Sequence, residues 1–294
     1  MSVPLLFAMP GNETMAQALA SRTGAELGNL EMRRFPDAET YLRYVSDPKG
    51  REIALVCTLN RPDEKLIAVL FAAATARGVG ATRIGLIAPY LAYMRQDRRF
   101  NEGEAVTSRY VARLLSEAFD WLVTVDPHLH RYSSLADIYT IPTFVVHAAP
   151  LISEWIKTRV TNAIIIGPDS ESEQWVSVVA EEAGVPFTVL EKTRHGDRNV
   201  EIRAKHPTRI VGKTLVFVDD IISSGRTMLE ALRQIPASTG DRPICMAVHG
   251  LFADNSDRLL TGAGATLVTS NTVPHATNGL DVSRLLASAL AKAL

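Results

Sequence analysis

The sequence repeats itself faintly at an offset of about 160 residues, and strand and helix patterns alternate in both copies. Leu5–Ala8 and Ile164–Ile166 are apolar segments that run into a polar turn and then a helical pattern. Further along, Ile53–Cys57 and Leu215–Val218 occupy equivalent places in the two copies. Because alternating strands and helices favour parallel sheets covered on both faces, we predict an α/β chain made of two duplicated domains.

The boundary between the two copies is predicted near residues 147–152. A further matching pair, Leu30–Arg34 and Leu190–Arg194, supports the same offset. The predicted domains are therefore residues 1–147 and 148–294.

Composition limits the class of protein. A chain of 294 residues suits two domains of ordinary size, and 47% hydrophobic and 21% charged residues are typical of a soluble globular enzyme. A net charge of −1 gives no reason to expect nucleic acid or a membrane as a partner. Cys57 and Cys245 lie inside apolar, strand-like runs, so we expect reduced core thiols and a cytoplasmic protein.

Residues 215–227 carry the strongest indication of function. An apolar strand runs directly into Asp219 and Asp220, at the strand end where open α/β sheets bind their ligands. A loop rich in hydroxyl groups follows and leads into a helix, whose N-terminus favours anions. Phosphate on the loop and a diol or metal on the carboxylates together predict a sugar-phosphate site. The candidate loop residues are Ser223, Ser224, Gly225, Arg226 and Thr227.

A simpler explanation is that these polar residues cap a helix, but two adjacent carboxylates on the strand make it the weaker one. The first copy lacks the motif: Thr58-Leu59 replaces the two aspartates, and Arg61-Pro62 replaces the Ser/Gly turn. The two copies are therefore expected to have different tasks.

Three polar segments of the first copy follow predicted strands, at residues 34–39, 88–99 and 124–130. They combine arginines, aromatic residues, carboxylates and histidines. Arginine binds phosphate through its fork, aromatic rings stack on bases, and His with Asp holds divalent ions. Together they predict a site for a nucleoside triphosphate in the first domain.

These motifs resemble those of one family. Residues 219–227 are similar to the phosphoribosyl diphosphate (PRPP) loop shared by type I phosphoribosyltransferases and PRPP synthetases. Over nearly its whole length the chain resembles the ribose-phosphate pyrophosphokinases (PRPP synthetases). Residues 35–39 look like their adenine loop Phe-Ser-Asp-Gly-Glu, residues 95–98 match their Arg-Gln-Asp-Arg/Lys motif, residues 125–128 match their Val-Asp-x-His, and residues 191–194 resemble their catalytic loop.

The resemblance implies two phosphoribosyltransferase-type domains, each a mainly parallel sheet flanked by helices. It implies transfer of the diphosphoryl group of Mg-ATP to the 1-hydroxyl of ribose 5-phosphate, giving PRPP and AMP. ATP would lie on the first domain and ribose 5-phosphate on the second, in a cytoplasmic homo-oligomer with Mg²⁺ as cofactor. The implied ATP-binding residues are Phe35, Asp37, Glu39, Arg95, Gln96 and Asp97. The implied sugar-phosphate residues are Asp219, Asp220, Ser223, Ser224, Gly225, Arg226 and Thr227. The implied catalytic residues are Lys192, Arg194 and Asp220, and the implied metal ligands are His128 and Asp169.

Three departures from the family pattern stand out. Pro168-Asp169 is followed by Ser-Glu-Ser where the family has x-Gly-Gly, which puts the usual backbone cradle in doubt. Arg226 replaces a commoner glycine and either contacts phosphate or covers the loop. Residues 98–104 differ from the regulatory loop of phosphate-activated members.

Two alternatives stay open at this point. A phosphoribosyltransferase that consumes PRPP would share residues 219–227 but would not need residues 95–97 or a duplicated first domain. A non-catalytic, synthetase-like regulatory subunit would be favoured by loss of Lys192 or Arg194, and both are present.

Overall fold

The computed structural model describes residues 4–195, 199–204, 210–234 and 242–294. The strands, in chain order, are β1 (Leu5–Ala8), β2 (Glu26–Gly28), β3 (Leu30–Arg34), β4 (Thr40–Tyr44), β5 (Glu52–Val56), β6 (Arg83–Ala88), β7 (Trp121–Val125), β8 (Thr143–Val146), β9 (Ala163–Gly167), β10 (Phe187–His195), β11 (Asn199–Ala204), β12 (Thr214–Ile222), β13 (Ile244–Gly250), β14 (Thr266–Ser270) and β15 (Asn278–Leu280). The helices are α1 (Glu13–Thr23), α2 (Leu66–Gly78), α3 (Thr107–Ala118), α4 (Ala149–Arg159), α5 (Glu173–Ala183), α6 (Arg226–Gln234), α7 (Ser256–Gly262) and α8 (Ser283–Ala293).

The chain divides into two compact units. Unit 1 contains Met1–His147 together with Ser283–Leu294, and unit 2 contains Ala148–Val282. The first break coincides with the boundary expected after residue 147. The division into 1–147 and 148–294 nevertheless needs a correction at its end, because α8 belongs to unit 1 by its contacts.

Each unit is built on one mainly parallel sheet, as predicted. In unit 1 the strand order is β2-β1-β5-β6-β7-β8, and all of these pairs are parallel. In unit 2 the order is β11-β10-β9-β12-β13-β14-β15, and only the β10–β11 pair of this sheet is antiparallel. The central strands are continuous Val/Ile/Leu-rich runs because both of their faces are covered.

The predicted match between residues 30–34 and 190–194 corresponds to a shared structural feature. In unit 1, β2 pairs with β1 in the sheet, and after Asn29 the chain continues as β3 in an antiparallel hairpin with β4. In unit 2, β10 does both, because Phe187–Val189 pair with β9 and Leu190–His195 pair with β11. Each copy therefore has a strand segment that leaves the sheet to form an antiparallel hairpin. This segment is divided into β2 and β3 in the first copy and is the single strand β10 in the second.

The first helix of each copy also repeats in detail. Both α1 and α5 begin with a glutamate in the first turn and end at a glycine with left-handed backbone geometry. Gly24 has φ 73° and Gly184 has φ 70°, a conformation that lets the glycine amide close the last helical turn. The offset of 160 residues is thus preserved from strand to helix cap.

The helices α4 and α8 each belong to the unit that does not contain the strand before them. The helix that follows β8 is α4, and it packs on α5 and β15 of unit 2. The helix that follows β15 is α8, and it packs on α1, β7 and β8 of unit 1. Leu286 and Leu290 of α8 are fully buried. The apolar face of α8 therefore completes the core of unit 1.

Both cysteines are buried and free of disulfides, which confirms their prediction as core thiols. Burial raises the pKa of the Cys57 thiol to about 12. Among the helices of the described part of the chain, none has both the length and the apolar character needed to cross a membrane.

Candidate active site

Three carboxylates meet at one end of the sheet of unit 2. β12 extends beyond the predicted Val218 to Ile222, but its pairing with β9 stops at Phe217. Asp219 and Asp220 thus lie past the end of β9, where the chain of β9 turns away towards Asp169. The end of a shorter neighbouring strand leaves this edge of β12 open, which is where parallel sheets bind ligands.

The electrostatics of this acidic cluster (Asp169, Asp219 and Asp220) are unfavourable for three negative charges. Burial, and then repulsion from Asp220 and Asp169, raises the pKa of Asp219 well above the usual aspartate value. Burial also raises the pKa of Asp169, with smaller contributions from Glu171 and Asp220. Opposite charge near these groups would stabilise their ionised forms, so the cluster suits a cation or donor hydroxyl groups.

Asp169 has a clear structural task as well. Its Oδ1 accepts hydrogen bonds from the backbone N–H groups of Glu171 (3.0 Å) and Ser172 (3.2 Å). The Ser172 hydroxyl donates to the Asp169 carbonyl oxygen over 2.6 Å. The Ser-Glu-Ser sequence therefore forms a capped turn in which these two amides contact the Asp169 carboxylate.

The hydroxyl-rich loop continues directly from β12 into α6, as predicted. Gly225 has φ 67°, and a Cβ atom there would lie 2.9 Å from Cβ of Ser256. The Ser256 hydroxyl donates to the carbonyl oxygen of Ser223 over 2.6 Å, which ties the loop to α7. Ser223, Ser224 and Gly225 are half-buried, whereas Arg226 and Thr227, at the N-terminus of α6, are exposed. The loop is thus anchored from behind, and a helix N-terminus lies beside it.

Lys192 and Arg194 lie in β10, at the part of the ribbon that leaves the sheet. Their backbones pair with Ile202 and Val200 of β11. The described part of the predicted catalytic segment, residues 191–195, is therefore one strand of an antiparallel hairpin. Residues 196–198, which follow it, lie outside the described residues.

In unit 1 the segment equivalent to the sugar-phosphate loop is held by hydrogen bonds to neighbouring side chains. The Asn12 side-chain oxygen accepts the backbone N–H of Thr58 over 2.7 Å, and the ammonium group of Lys65 donates to the Thr58 carbonyl and to Asn60. Burial lowers the pKa of Lys65. Asn12 and Lys65 therefore hold the segment that lacks the acidic pair, and neither residue belongs to a motif that would have indicated this role.

The predicted adenine loop is the turn between β3 and β4. The backbone N–H of Phe35 donates to the Glu39 carbonyl over 2.8 Å, and the Asp37 carboxylate accepts the N–H of Glu39. Ala38 has φ 71° at the place where the family pattern has glycine. The guanidinium of Arg33 lies 4.9 Å from the centre of the Phe35 ring, which is 40% exposed. The turn is therefore held by hydrogen bonds within it and presents an aromatic surface.

The other two predicted nucleotide segments follow β6 and β7. Arg95 is exposed and Gln96 is half-buried, whereas the carboxylate of Asp97 is only 1% exposed and pairs with Arg131. His128 is half-buried, and its ring lies 3.9 Å from that of His130. Arg131 was missed at the sequence level because a single arginine after a histidine motif has no distinctive spacing.

Comparison with known proteins agrees with this architecture. A family model described as the N-terminal domain of ribose phosphate pyrophosphokinase matches residues 5–118. A second, the phosphoribosyl transferase domain, matches residues 134–283. The chain also resembles a solved structure, the phosphoribosylpyrophosphate synthetase from Mycobacterium smegmatis, with TM-score 0.86, 24% identity and 99% coverage of both chains. The predicted fold class, two phosphoribosyltransferase-type domains, is confirmed.

Curated relatives define the family more closely. A protein named ribose-phosphate pyrophosphokinase from Sulfolobus acidocaldarius is 33% identical over 283 residues, which cover 94% of this chain and 95% of the relative. One of the same name from Methanopyrus kandleri is 34% identical over 280 residues, with 94% of each chain covered. The chain therefore belongs to the ribose-phosphate pyrophosphokinase family, as its motifs indicated.

Proposed function

We infer that this protein is a ribose-phosphate pyrophosphokinase, an enzyme that transfers the diphosphoryl group of ATP to the 1-hydroxyl of ribose 5-phosphate. The products are PRPP and AMP. The observation that carries this inference is the difference between the two units. Unit 2 keeps an acidic cluster beside an anchored hydroxyl loop. The equivalent segment of unit 1 lacks the acidic pair and is held by Asn12 and Lys65, and unit 1 has the nucleotide motifs instead. Near end-to-end similarity to curated relatives of that name supports it.

We propose that unit 2 binds the acceptor sugar. Asp219 and Asp220 accept hydrogen bonds from the ribose 2- and 3-hydroxyls, directly or through a metal. The loop and the N-terminus of α6 bind the 5-phosphate, because backbone N–H groups there have no partner within the helix. Ser223, Ser224, Gly225 and Thr227 supply this phosphate site. The exposed Arg226 is placed at its rim and provides positive charge.

Magnesium is the cofactor we propose, and the residues of unit 2 fit it. Mg²⁺ prefers oxygen ligands and keeps several waters, and three neighbouring carboxylates provide both oxygen atoms and excess negative charge. We propose that Asp169 binds Mg²⁺ in this unit, directly or through water. On the nucleotide side His128 is the proposed ligand. Bound Mg²⁺ would neutralise charge on the phosphate oxygens of ATP.

Catalysis by the chain's own residues rests on position and charge. Phosphoryl transfer needs the attacking hydroxyl and the leaving group in line, and neutralisation of charge on the transferred group. Lys192 and Arg194 are the proposed cations for this task. Asp220 is our candidate to accept the proton of the 1-hydroxyl, and the loose transition state of such reactions requires little help from a base.

We assign ATP to unit 1. Phe35 stacks on the adenine, and Asp37 and Glu39 of the same turn contact the nucleotide. Arg95 and Gln96 bind its phosphates or ribose. Asp97 supports this segment, because its carboxylate is buried against Arg131.

Two further proposals concern the setting of the enzyme. We propose a homo-oligomer, as the family resemblance implies. We also propose a cytoplasmic location, since both cysteines are buried free thiols.

The direct test is an assay of purified protein with Mg²⁺, ATP and ribose 5-phosphate. AMP and PRPP should appear in equal amounts. A phosphoribosyltransferase would leave ATP untouched and would consume added PRPP when given a base. A regulatory subunit would do neither, and that result with Lys192 and Arg194 intact would refute the proposed activity.

A further inference from the structure

The carboxylate of Asp97 is among the most enclosed charges of unit 1. Nη1 of Arg131 donates to both of its oxygens, at 2.9 and 3.1 Å, while the side chain of Asp97 is 1% exposed. A buried carboxylate held by one arginine in this way is strongly dependent on that partner, because removing the arginine leaves a charge away from water. Arg131 thus fixes the segment that contains Arg95, Gln96 and Asp97.

A second residue of the same loop reinforces this connection. The hydroxyl of Tyr132 donates to the backbone carbonyl of Asp97 over 3.1 Å and lies 3.1 Å from the hydroxyl of Ser108. The backbone N–H of Ser108 in turn donates to the carbonyl of Gln96 over 3.3 Å. The loop after β7 and the start of α3 therefore hold the backbone of residues 96 and 97 from two sides.

Arg131 also organises the residues that follow. Its guanidinium lies 5.4 Å from the centre of the Phe100 ring, and that of Arg98 lies 4.8 Å from the same centre. The Glu104 carboxylate accepts the backbone N–H groups of Phe100 (2.7 Å) and Asn101 (3.0 Å), which closes the loop. Arg131 is therefore the contact shared by the buried Asp97 and this exposed loop.

We propose that Arg131 is a positioning residue for the nucleotide. Through Asp97 it holds Arg95 and Gln96 in a fixed relation to His128, which lies three residues before it on the same loop. Two of the three segments that unit 1 offers to ATP then act as one preorganised surface. Asp97 serves as the anchor of this surface, and its carboxylate contacts Arg131 instead of the nucleotide. This inference depends on the proposed function for one point, that the nucleotide is ATP.

The test is a double-mutant cycle with Arg131→Met, Asp97→Asn and both changes together. Each single change should raise KM for ATP about 10- to 100-fold, because small displacements of positioning groups are costly. KM for ribose 5-phosphate should stay within about twofold. The double variant should resemble the single variants instead of multiplying their effects, because both residues act through one contact.

Arg77→Met is the matched control. Arg77 forms an ion pair with Asp120 over 3.2 Å, just before β7 begins and so at the opposite end of that strand from His128. The KM values of this variant for ATP and for ribose 5-phosphate should be unchanged. Its melting temperature measures how much stability the loss of an ion pair in unit 1 costs.

Several results would overturn the positioning role. Folded Arg131→Met protein with an unchanged KM for ATP would do so, as would equal loss for both substrates. Multiplying effects in the double variant would mean that Asp97 contacts ATP itself. Calorimetric titration with Mg-ATP separates this inference from the proposed activity. Weak nucleotide binding by Arg131→Met supports positioning even if wild-type protein makes no PRPP, and absence of wild-type binding refutes it.

Discussion

Asp219 shows how a single residue can oppose folding while it serves a site. Its half-buried carboxylate lies near Asp220 and Asp169, and its pKa is raised in the folded protein. An unfolded chain would return it to about 3.8, the value of an unperturbed aspartate. The site therefore concentrates negative charge at a cost in stability, which is common where a protein awaits a charged ligand.

Asp219→Asn should stabilise the protein at neutral pH without Mg²⁺. Between the unfolded pKa and the raised folded pKa the native state holds more protons than the unfolded state, so wild-type stability falls as pH rises through that window. The asparagine variant lacks this loss. Its advantage in urea unfolding should be small near pH 4 and should grow as the pH rises above that value. Glu182→Gln, at an exposed position of α5, is the control and should show no such difference. An advantage that persists at pH 4 would contradict the assigned cause.

Lys192→Ala tests the proposed catalytic cation. The turnover number should fall about 100-fold or more, since removing a charge that acts on the transition state has effects of this size. Ribose 5-phosphate binding, measured by calorimetry, should change less than about twofold. Lys157→Ala, at an exposed position of α4, should alter neither quantity. Equal loss of turnover and sugar binding would mean that Lys192 is part of the acceptor site.

At the scale of elements, the decisive unit is β12, the loop after it and α6. The strand places two carboxylates beyond its shorter neighbour, and the loop is held against α7 through Ser256. Gly225 makes this approach possible, because it combines a φ of 67° with a gap too small for a side chain. The shape of this loop thus depends on Gly225.

Gly225→Ala should raise KM for ribose 5-phosphate about tenfold or more, because backbone strain and contact with Ser256 displace the phosphate loop. KM for ATP should change little. Gly184→Ala is the matched control: its φ is 70°, but no atom lies within 4 Å of the added Cβ. The control should lower stability in the same way and leave KM unchanged. A similar KM for both variants would show that the close contact with Ser256 is unimportant.

Sequence reasoning succeeded for elements whose signal is local. The strand, loop and helix of residues 215–227 and the turn at residues 35–39 follow from apolar runs and turn residues, and the structure contains each of them. It did not foresee that β12 reaches Ile222 or that Asp169 caps its own turn, because pairing length and hydrogen-bond partners depend on neighbouring segments. Arg131 was missed for the same reason.

At the scale of the whole molecule, the main feature is that α4 and α8 each belong to the unit that does not contain the strand before them. The chain ends in α8, which belongs to unit 1, although the sequence that precedes it forms unit 2. A helix of this kind gains most of its stability from packing its apolar face instead of from its own propensity. Unit 1 therefore depends on Ser283–Leu294.

Leu290→Ala in α8 should destabilise the protein by about 2–5 kcal/mol, the usual effect of creating a cavity at a fully buried leucine. Hydrogen exchange should locate the loss of protection first in β7 and β8, on which α8 packs. Lys292→Ala, at an exposed position of the same helix, should have little effect. Loss of protection confined to unit 2 would contradict the assignment of α8 to unit 1.

The α/β class, the duplication and the family follow from the amino-acid sequence alone, because they rest on local apolar patterns, on the repetition of those patterns and on motifs of contiguous residues. The same holds for Asp219, Asp220 and the following loop as one local unit. Only the folded chain shows which unit α4 and α8 complete, which carboxylates repel one another and which arginine holds Asp97. These depend on contacts between residues far apart in the chain, and burial gives them their strength.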